Sequence, residues 1–313
     1  MKRYIIIDGN FLEKYLTLVL KLKVVISGAE FFYINNLFYN IDYITFISLG
    51  HGVSYFKHFL YSSNSYYGNK RYNKILIPPS KQFISVAKNY GWTEENIIKI
   101  NLPRWDKYNN LDEKNKKINH FNNSIFIMFT WRQIVAYNTI SNDYFKNILN
   151  LINNRLLIKT TEKNNISIYF ALHHRQYEYK WKLLNSKHIK LISEYQISDV
   201  LSQTSLLVSD FSSIIFDIIY RNKPFIIYIP DSNYSDIKNK YTHNYYKLIK
   251  DMKEGIIPFK NKYFNVEEAV DKIIYYINND FKLEKKLQKF YNNFGFQKQN
   301  STQKFINYIK NIK

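Results

Sequence analysis

Cysteine is absent from this sequence of 313 residues, and glycine, proline and methionine occur only eight, six and three times. Without cysteine the chain can form no disulfide bond, no thiolate nucleophile and no cysteine-ligated metal site. This absence fits a protein of the cytosol. Stability must come from apolar packing, and hydrophobic residues make up 46% of the chain. A chain of this length is expected to form two domains of ordinary size.

Long hydrophobic runs are also missing. A transmembrane helix needs about 18 consecutive apolar residues, and no such stretch occurs. The first ten residues, MKRYIIIDGN, are basic near the start but lack the apolar region and the small-residue cleavage site of a signal peptide. The sequence therefore predicts a soluble, cytoplasmic protein that is not secreted.

Acidic residues are few, because 25 Asp and Glu stand against 45 Lys and Arg and give a net charge of +20. Such a balance favours a polyanionic partner such as nucleic acid, an anionic membrane surface or a phosphate-rich polymer. An alternative is genome bias, since the chain is rich in Ile, Lys, Asn, Tyr and Phe, all encoded by A/T-rich codons.

The rest of the chain is organised around residues 204–231, TSLLVSDFSSIIFDIIYRNKPFIIYIPD. Two apolar runs, 206–208 and 225–229, are typical of parallel strands that are buried on both faces. Between them lie a polar turn and an apolar helix over 214–220, which the segment 222–224 terminates. The pattern predicts a βαβ unit.

The polar turn of this unit is a candidate binding site. Ligands of such units bind beyond the carboxyl end of the strand, where this chain has Asp210, Ser212 and Ser213. Ser212 is a candidate helix N-cap. The N–H groups and dipole of a helix start favour an anion, and serine hydroxyls add donors. We interpret the turn as a phosphate-binding site, with simple helix capping by the two serines as the alternative.

Further polar side chains follow other predicted strands. They are His51 after residues 43–49, Arg104 and Asp106 after 97–100, Arg132 after 124–129, and His173 after 166–172. His51 stands between two glycines, which allow a ligand to approach the backbone closely. The planar guanidinium of arginine suits phosphate, which makes Arg132 a candidate anion ligand.

Two of these candidates have simpler alternatives. The turn that contains Arg104 and Asp106 could be a surface turn with a local ion pair. The His173–His174 pair suggests a metal, but no acidic residue or third histidine stands nearby at ligand spacing. We therefore predict no metal site.

Strand–helix alternation continues on both sides of a polar segment, residues 109–123, which we interpret as an interdomain linker. The pattern predicts two doubly wound α/β lobes, an N-terminal one over 1–115 and a C-terminal one over 116–313. A cleft between the lobes would gather the strand-end residues. The second lobe ends in a lysine-rich helical tail, 283–313, which is either a pair of packed helices or a basic face for an anionic membrane.

Taken in order, these motifs resemble those of the CDP-glycerol glycerophosphotransferase family, the teichoic-acid-polymerase-like enzymes of bacterial cell envelopes. In the first half of the chain, GHGVSYFK (50–57) resembles the family motif HGTPLK, and NLPRWD (101–106) resembles G-x-PR-x-D. Further on, FTWR (129–132) resembles PTWR, and His173 matches the histidine of KPH. The segment SDFSSIIFD (209–217) resembles (T/S)DYSS-xx-FD, and Lys223-Pro224 matches the KP that follows it. The likeness runs from about residue 43 to residue 231.

The resemblance implies a GT-B-like fold with a short N-terminal lobe. It also implies transfer of a polyol phosphate, glycerol or ribitol phosphate, from a CDP-activated donor to a hydroxyl of an envelope or capsule glycan, with release of CMP. His51 would be the general base on the acceptor hydroxyl, and His173 would stabilise charge on the leaving CMP. Arg132, with Ser212 and Ser213, would hold the diphosphate.

The remaining site residues follow from the same resemblance. Asp210 joins the donor-binding set, and Asp217 either meets donor hydroxyls or pairs with Arg221, four residues further on. Gly52, Lys57, Arg104 and Asp106 are placed on the acceptor side or in the cleft. No cofactor is expected, since the CDP-activated donor is a substrate.

Departures from the family pattern occur at several positions. Ser54 replaces the proline of HGTP, and Lys57 stands one place later than the family's lysine. Asn101 replaces a glycine, and Ala171 replaces the lysine of KPH. The missing lysine removes a phosphate contact and leaves the identity of the donor open.

Two other functions stay open on the sequence. One is a GT-B glycosyltransferase that uses a nucleotide sugar in capsule or lipooligosaccharide synthesis, and the other is a non-enzymatic basic scaffold for membrane or nucleic acid. The leading interpretation expects no nucleic-acid partner. It expects the basic tail to attach the protein peripherally to the inner face of the bacterial cell membrane.

Overall fold

A computed structural model describes residues 24–27, 45–49, 74–89, 92–109, 123–130, 142–172, 189–231, 250, 253–254 and 261–312. The chain divides into two compact units. The first combines Met1–Asn109 with Asn292–Lys313, and the second is Asn110–Tyr291. Each unit contains its own parallel sheet.

The first unit is built on a four-stranded parallel sheet in the order β1-β2-β3-β4. Its strands are β1 (Val24–Ser27), β2 (Thr45–Ser48), β3 (Lys74–Ile77) and β4 (Ile97–Lys99). Helix α1 (Lys81–Asn89) follows β3 and buries Phe83 and Ala87. A 3-10 turn, Glu94–Asn96, leads into β4. The strands predicted over 43–49 and 97–100 correspond to β2 and β4 to within two residues at each end, because each is a short apolar run next to a turn signal.

The second unit contains a six-stranded parallel sheet in the order β10-β9-β8-β5-β6-β7. Its strands are β5 (Ser124–Met128), β6 (Ser167–Ala171), β7 (Ile189–Ile192), β8 (Leu206–Ser209), β9 (Phe225–Tyr228) and β10 (Lys262–Tyr263). Read from the β7 edge, this is the 3-2-1-4-5-6 order of dinucleotide-binding sheets. Every residue of β8 and β9 is buried, as their unbroken apolar sequences predict.

The strand order reverses between β5 and β8, which are neighbours at the centre of the sheet. Such a point is the topological switch point, where chains leave the two strands towards opposite faces and a crevice opens at their carboxyl ends. The predicted βαβ unit is confirmed, and its first strand is one of the two that form this point.

Six helices lie among the described residues of the second unit. They are α2 (Asn142–Ile152), α3 (Arg155–Lys163), α4 (Ile197–Gln203), α5 (Ile215–Tyr220), α6 (Val266–Asn278) and α7 (Lys285–Asn292), whose last residue belongs to the first unit. Helix α6 packs on α2, α3 and β9. Among helices of the described residues, none combines the length and the hydropathy required to cross a bilayer.

The apolar spacing of residues 144–156 predicts one amphipathic helix, whereas the structure has two. Helix α2 ends at Ile152, and α3 begins at Arg155. Asn154 is the N-cap of α3, since its side-chain oxygen accepts hydrogen bonds from the N–H groups of Leu156 and Leu157 at 3.0 and 3.1 Å. The prediction was wrong because Leu156 continued the apolar spacing, although its side chain is 55% exposed.

The C-terminal segment ends in α8 (Ser301–Lys310) and packs within the first unit. The Asn101 side-chain amide donates to the Gln297 carbonyl at 2.7 Å, and the Trp105 ring meets the Phe296 ring edge-to-face at 4.9 Å. Residues 116–313 were predicted to form the second lobe together, whereas these contacts place the segment from Asn292 in the first unit. The predicted boundary after residue 115 stays a prediction.

Candidate functional site

The best-defined polar cluster of the described residues lies at the carboxyl ends of β5 and β8. The two strands pair in register as far as Met128 and Ser209. Asp210 follows Ser209, and its side chain is completely buried. Both carboxylate oxygens lie 3.0 Å from the backbone nitrogen of Thr130, and Oδ1 accepts from the Thr130 hydroxyl at 2.7 Å. Asp210 therefore ties together the chain segments that leave the two central strands.

Neighbouring hydrogen bonds reinforce this junction. The Ser209 hydroxyl donates to the carbonyl of Met128 at 2.5 Å, and the Tyr144 hydroxyl of α2 donates to the carbonyl of Thr130 at 3.4 Å. Asn147, one turn along α2, donates to the carbonyl of Pro230 beyond β9 at 2.7 Å. Helix α2 thus anchors the carboxyl ends of β5 and β9.

The turn after Asp210 carries the two predicted phosphate ligands. The side chains of Ser212 and Ser213 are partly exposed, whereas Phe211 and Ile214 on either side are buried. Helix α5 begins at Ile215 with Ile214 as its N-cap, so Ser212 is not the N-cap that the sequence suggested. The Ser212 oxygen instead accepts a long bond, 3.5 Å, from the Ile214 N–H. The turn places both hydroxyls at the switch point.

Helix α5 is buried along its whole length. Asp217 is 1% exposed, and the Arg221 guanidinium donates to the carbonyls of Leu201 and Thr204. Asn222 ends the helix in the left-handed region with φ of 57°, as the predicted terminator should. The two alternatives for Asp217, donor contact or pairing with Arg221, both stay predictions.

The predicted acceptor-side turn, residues 101–106, holds the C-terminal segment. Arg104 is exposed, while the Asp106 carboxylate accepts from the N–H groups of Ser301 and Thr302 at 2.8 and 2.6 Å. Burial raises the pKa of Asp106, but these hydrogen bonds outweigh it and the net pKa is lowered. Asp106 therefore has a structural contact at the start of α8, and its role towards an acceptor stays a prediction.

Other predicted site residues lie outside the described residues, namely His51, Gly52, Lys57, Arg132 and His173. Among the residues that are described, no three histidine or acidic side chains group as a metal site would require. Thr130 was not among the predicted site residues. A hydroxyl directly after a predicted strand was the available signal, but its partner Asp210 lies 80 residues further along the chain.

Two curated proteins of Bacillus subtilis (strain 168) are similar in sequence. The minor teichoic acid biosynthesis protein GgaB is 28% identical over 325 aligned positions, which cover 96% of this chain and 33% of GgaB. The teichoic acid glycerol-phosphate primase is 25% identical over 190 positions, covering 58% of this chain and 47% of the primase. The chain thus spans less than half the length of the curated relatives it matches.

The chain is similar to a solved structure of the wall teichoic acid polymerase TagF, a variant soaked with CDPG. The superposition covers 93% of this chain and 72% of the TagF chain. The TM-score is 0.57 and the sequence identity 17%, so the likeness shows the fold. With its two parallel sheets, the chain is a GT-B protein, which confirms the predicted fold class. Residues 8–311 match the profile of CDP-Glycerol:Poly(glycerophosphate) glycerophosphotransferase, and the chain belongs to that family.

Proposed function

We propose that this chain transfers a polyol phosphate, glycerol or ribitol phosphate, from a CDP-activated donor to a hydroxyl of a cell-envelope or capsule glycan. The observation that carries the proposal is the family match over residues 8–311. Two teichoic acid proteins among the relatives support an envelope polymer as the acceptor. The dinucleotide-type strand order of the second sheet supports a nucleotide donor at its switch point.

In the proposed step, an acceptor oxygen attacks the phosphorus that carries the polyol, and the bond from this phosphorus to the CMP oxygen breaks. His51 takes the proton of the acceptor hydroxyl, and His173 stabilises the negative charge that develops on CMP. Arg132, Ser212 and Ser213 hold the diphosphate. Phosphoryl transfer depends mainly on alignment and charge stabilisation, and this set of residues can supply both.

The test is incubation with CDP-glycerol or CDP-ribitol and envelope glycan acceptors, with CMP and extended acceptor measured together. We expect CMP to appear in step with acceptor extension. His51→Ala and His173→Ala should each lower the rate by about 10²-fold or more. Absence of CMP from both donors, with release of nucleoside diphosphate from a nucleotide sugar instead, would make the chain a glycosyltransferase of the same fold. The lysine replaced by Ala171 is the specific reason to include that arm.

We also propose that the basic surface attaches the protein peripherally to the inner face of the bacterial cell membrane. The net charge of +20 and exposed lysines 285, 286 and 289 on α7 support this idea. The apolar residues Leu287 and Tyr291 of α7 are buried within the protein, so the attraction would be electrostatic rather than an insertion.

A further inference from the structure

The inference concerns Asp210, which the family resemblance places among donor-binding residues. Its side chain is 0% exposed, and its oxygens accept from the N–H and the hydroxyl of Thr130. A carboxylate enclosed in this way offers a ligand no accessible surface. We propose that Asp210 is a positioning residue that acts through Thr130, and that Thr130 governs the alignment of the donor phosphates. The proposal rests on the proposed function.

The Asp210 carboxylate supplies a hydrogen-bond acceptor that the sheet does not provide at the switch point. The β5–β8 ladder stops at Met128 and Ser209, and Thr130 lies beyond that last pair. A buried N–H outside the ladder costs about 1–3 kcal/mol unless another acceptor replaces the ladder carbonyl. Asp210 supplies that acceptor, and hydrogen bonds to an ionised group are about twice as strong as neutral ones.

Three polar groups of Thr130 form hydrogen bonds. Its N–H and hydroxyl donate to Asp210, and its carbonyl accepts from Tyr144, whose side chain is 2% exposed. The backbone is therefore fixed just beyond the carboxyl end of β5. In sequence, Arg132 follows only two residues later. A fixed Thr130 is therefore a close neighbour in sequence of this proposed diphosphate ligand.

This arrangement predicts a loss of rate rather than a loss of fold when the Thr130 hydroxyl is removed. Loss of alignment by a fraction of an ångström lowers the rate of phosphoryl transfer, because the enzyme contributes mainly orientation. Thr130→Val removes the hydroxyl and keeps the shape of the side chain. Thr130→Ser keeps the hydroxyl and serves as the conservative rescue.

Ser209→Ala is the matched control. Ser209 is as deeply buried as Asp210, and its hydroxyl links the same two strands through the carbonyl of Met128. Both Ser209→Ala and Thr130→Val delete one hydroxyl hydrogen bond between the chain segments of β8 and β5, and the structural effect of Thr130→Val should be the larger because its acceptor is a carboxylate. Urea unfolding of each variant gives that effect directly.

The experiment measures kcat and KM for CMP release from the preferred CDP-polyol with wild type, Thr130→Val, Thr130→Ser and Ser209→Ala. We expect Thr130→Val to lose about tenfold or more in kcat and to raise KM by a smaller factor, since misaligned donor phosphates are also held less tightly. Thr130→Ser and Ser209→Ala should stay within about twofold of wild type. Equal losses in Thr130→Val and Ser209→Ala would overturn the inference.

Failure of the proposed function has a different signature. If wild-type protein releases no CMP from any CDP-polyol, the same variants are compared for CDP affinity by calorimetry. Weaker CDP binding in Thr130→Val than in Ser209→Ala supports the role of Thr130 even then. Equal affinities in these two variants, or no CDP binding by wild type, overturn that role.

Discussion

Among single residues, Asp106 is the clearest case of a side chain with a measurable structural role. Its carboxylate accepts from the first two N–H groups of α8, at the positive end of the helix dipole. We expect Asp106→Asn to lower the free energy of unfolding by about 1 kcal/mol at pH 7. Urea unfolding measures it, with Asp271→Asn on the exposed face of α6 as a control that should change stability by less than about 0.5 kcal/mol.

The effect of Asp106 should also depend on pH. Because the folded-state pKa lies below the ordinary value of 3.8, its stabilisation is present above pH 3.8 and is lost as the pH falls through the folded pKa. The difference between wild type and Asp106→Asn should therefore shrink below pH 3.8. A difference that stays constant down to pH 2 would contradict the assignment.

Asp210 is a residue whose position could be predicted from the sequence but whose contacts could not. The motif 209–217 correctly located the turn at the end of β8 and its partly exposed serines. It could not show that the carboxylate within the motif is buried against Thr130, because that contact joins residues 80 positions apart. A polar residue in a binding motif looks the same in sequence whether it faces the ligand or the backbone.

At the scale of elements, a hydrogen-bonded network joins α6 and the start of α7 to β9, where the Phe225 carbonyl accepts from the side-chain amide of Asn261 at 3.3 Å. The Tyr276 hydroxyl donates to Glu284 and accepts from the side-chain amide of Asn261, both at 2.7 Å, and Lys272 lies 2.6 Å from the same carboxylate. Burial raises the pKa of Glu284, but hydrogen bonds from Lys272, Tyr276 and Lys286 outweigh it and lower the pKa to about 2. The network fixes α7 on the sheet edge.

Removal of one hydroxyl should weaken this network. We expect Tyr276→Phe to lower the free energy of unfolding by about 1–3 kcal/mol, because it removes two hydrogen bonds, one of which is made to the charged carboxylate of Glu284. Tyr275→Phe is the matched control, since Tyr275 is 43% exposed and phenylalanine keeps the ring that Lys272 covers. Equal unfolding midpoints for the two variants would argue against the network.

The elements that sequence predicted best are those whose signal is local. Strands β8 and β9 are unbroken apolar runs, and α5 ends at the predicted Asn-Lys-Pro segment. The break between α2 and α3 was missed because a cap at Asn154 overrides the apolar spacing that Leu156 continues. Local pattern alone does not weigh a side-chain cap against hydrophobic periodicity.

For the whole molecule, the net charge of +20 predicts binding to anionic membranes. If the basic surface attaches the protein to a membrane, it should float with vesicles that contain anionic lipid at low ionic strength. Salt should release it, because the Debye length falls to about 8 Å at 0.15 M. Vesicles of neutral lipid are the control, and equal flotation with both kinds would exclude an electrostatic attachment.

The fold class could be predicted at this scale, whereas the arrangement of the C-terminal segment could not. Alternating strands and helices identify two parallel sheets, since the signals repeat locally along the chain. The contacts of Asn101 and Asp106 with the tail join positions almost 200 residues apart, and no periodicity records them.

The first unit is consequently discontinuous in sequence, and this has an effect during synthesis. When residues 1–109 have emerged from the ribosome, residues 292–313 have not yet been synthesised. The rings of Trp105 and Phe83 therefore still lack their contact with Phe296. The intervening unit, residues 110–291, can complete its core earlier, because domains fold as units while the chain emerges. The half that is translated first is therefore the half that finishes folding last.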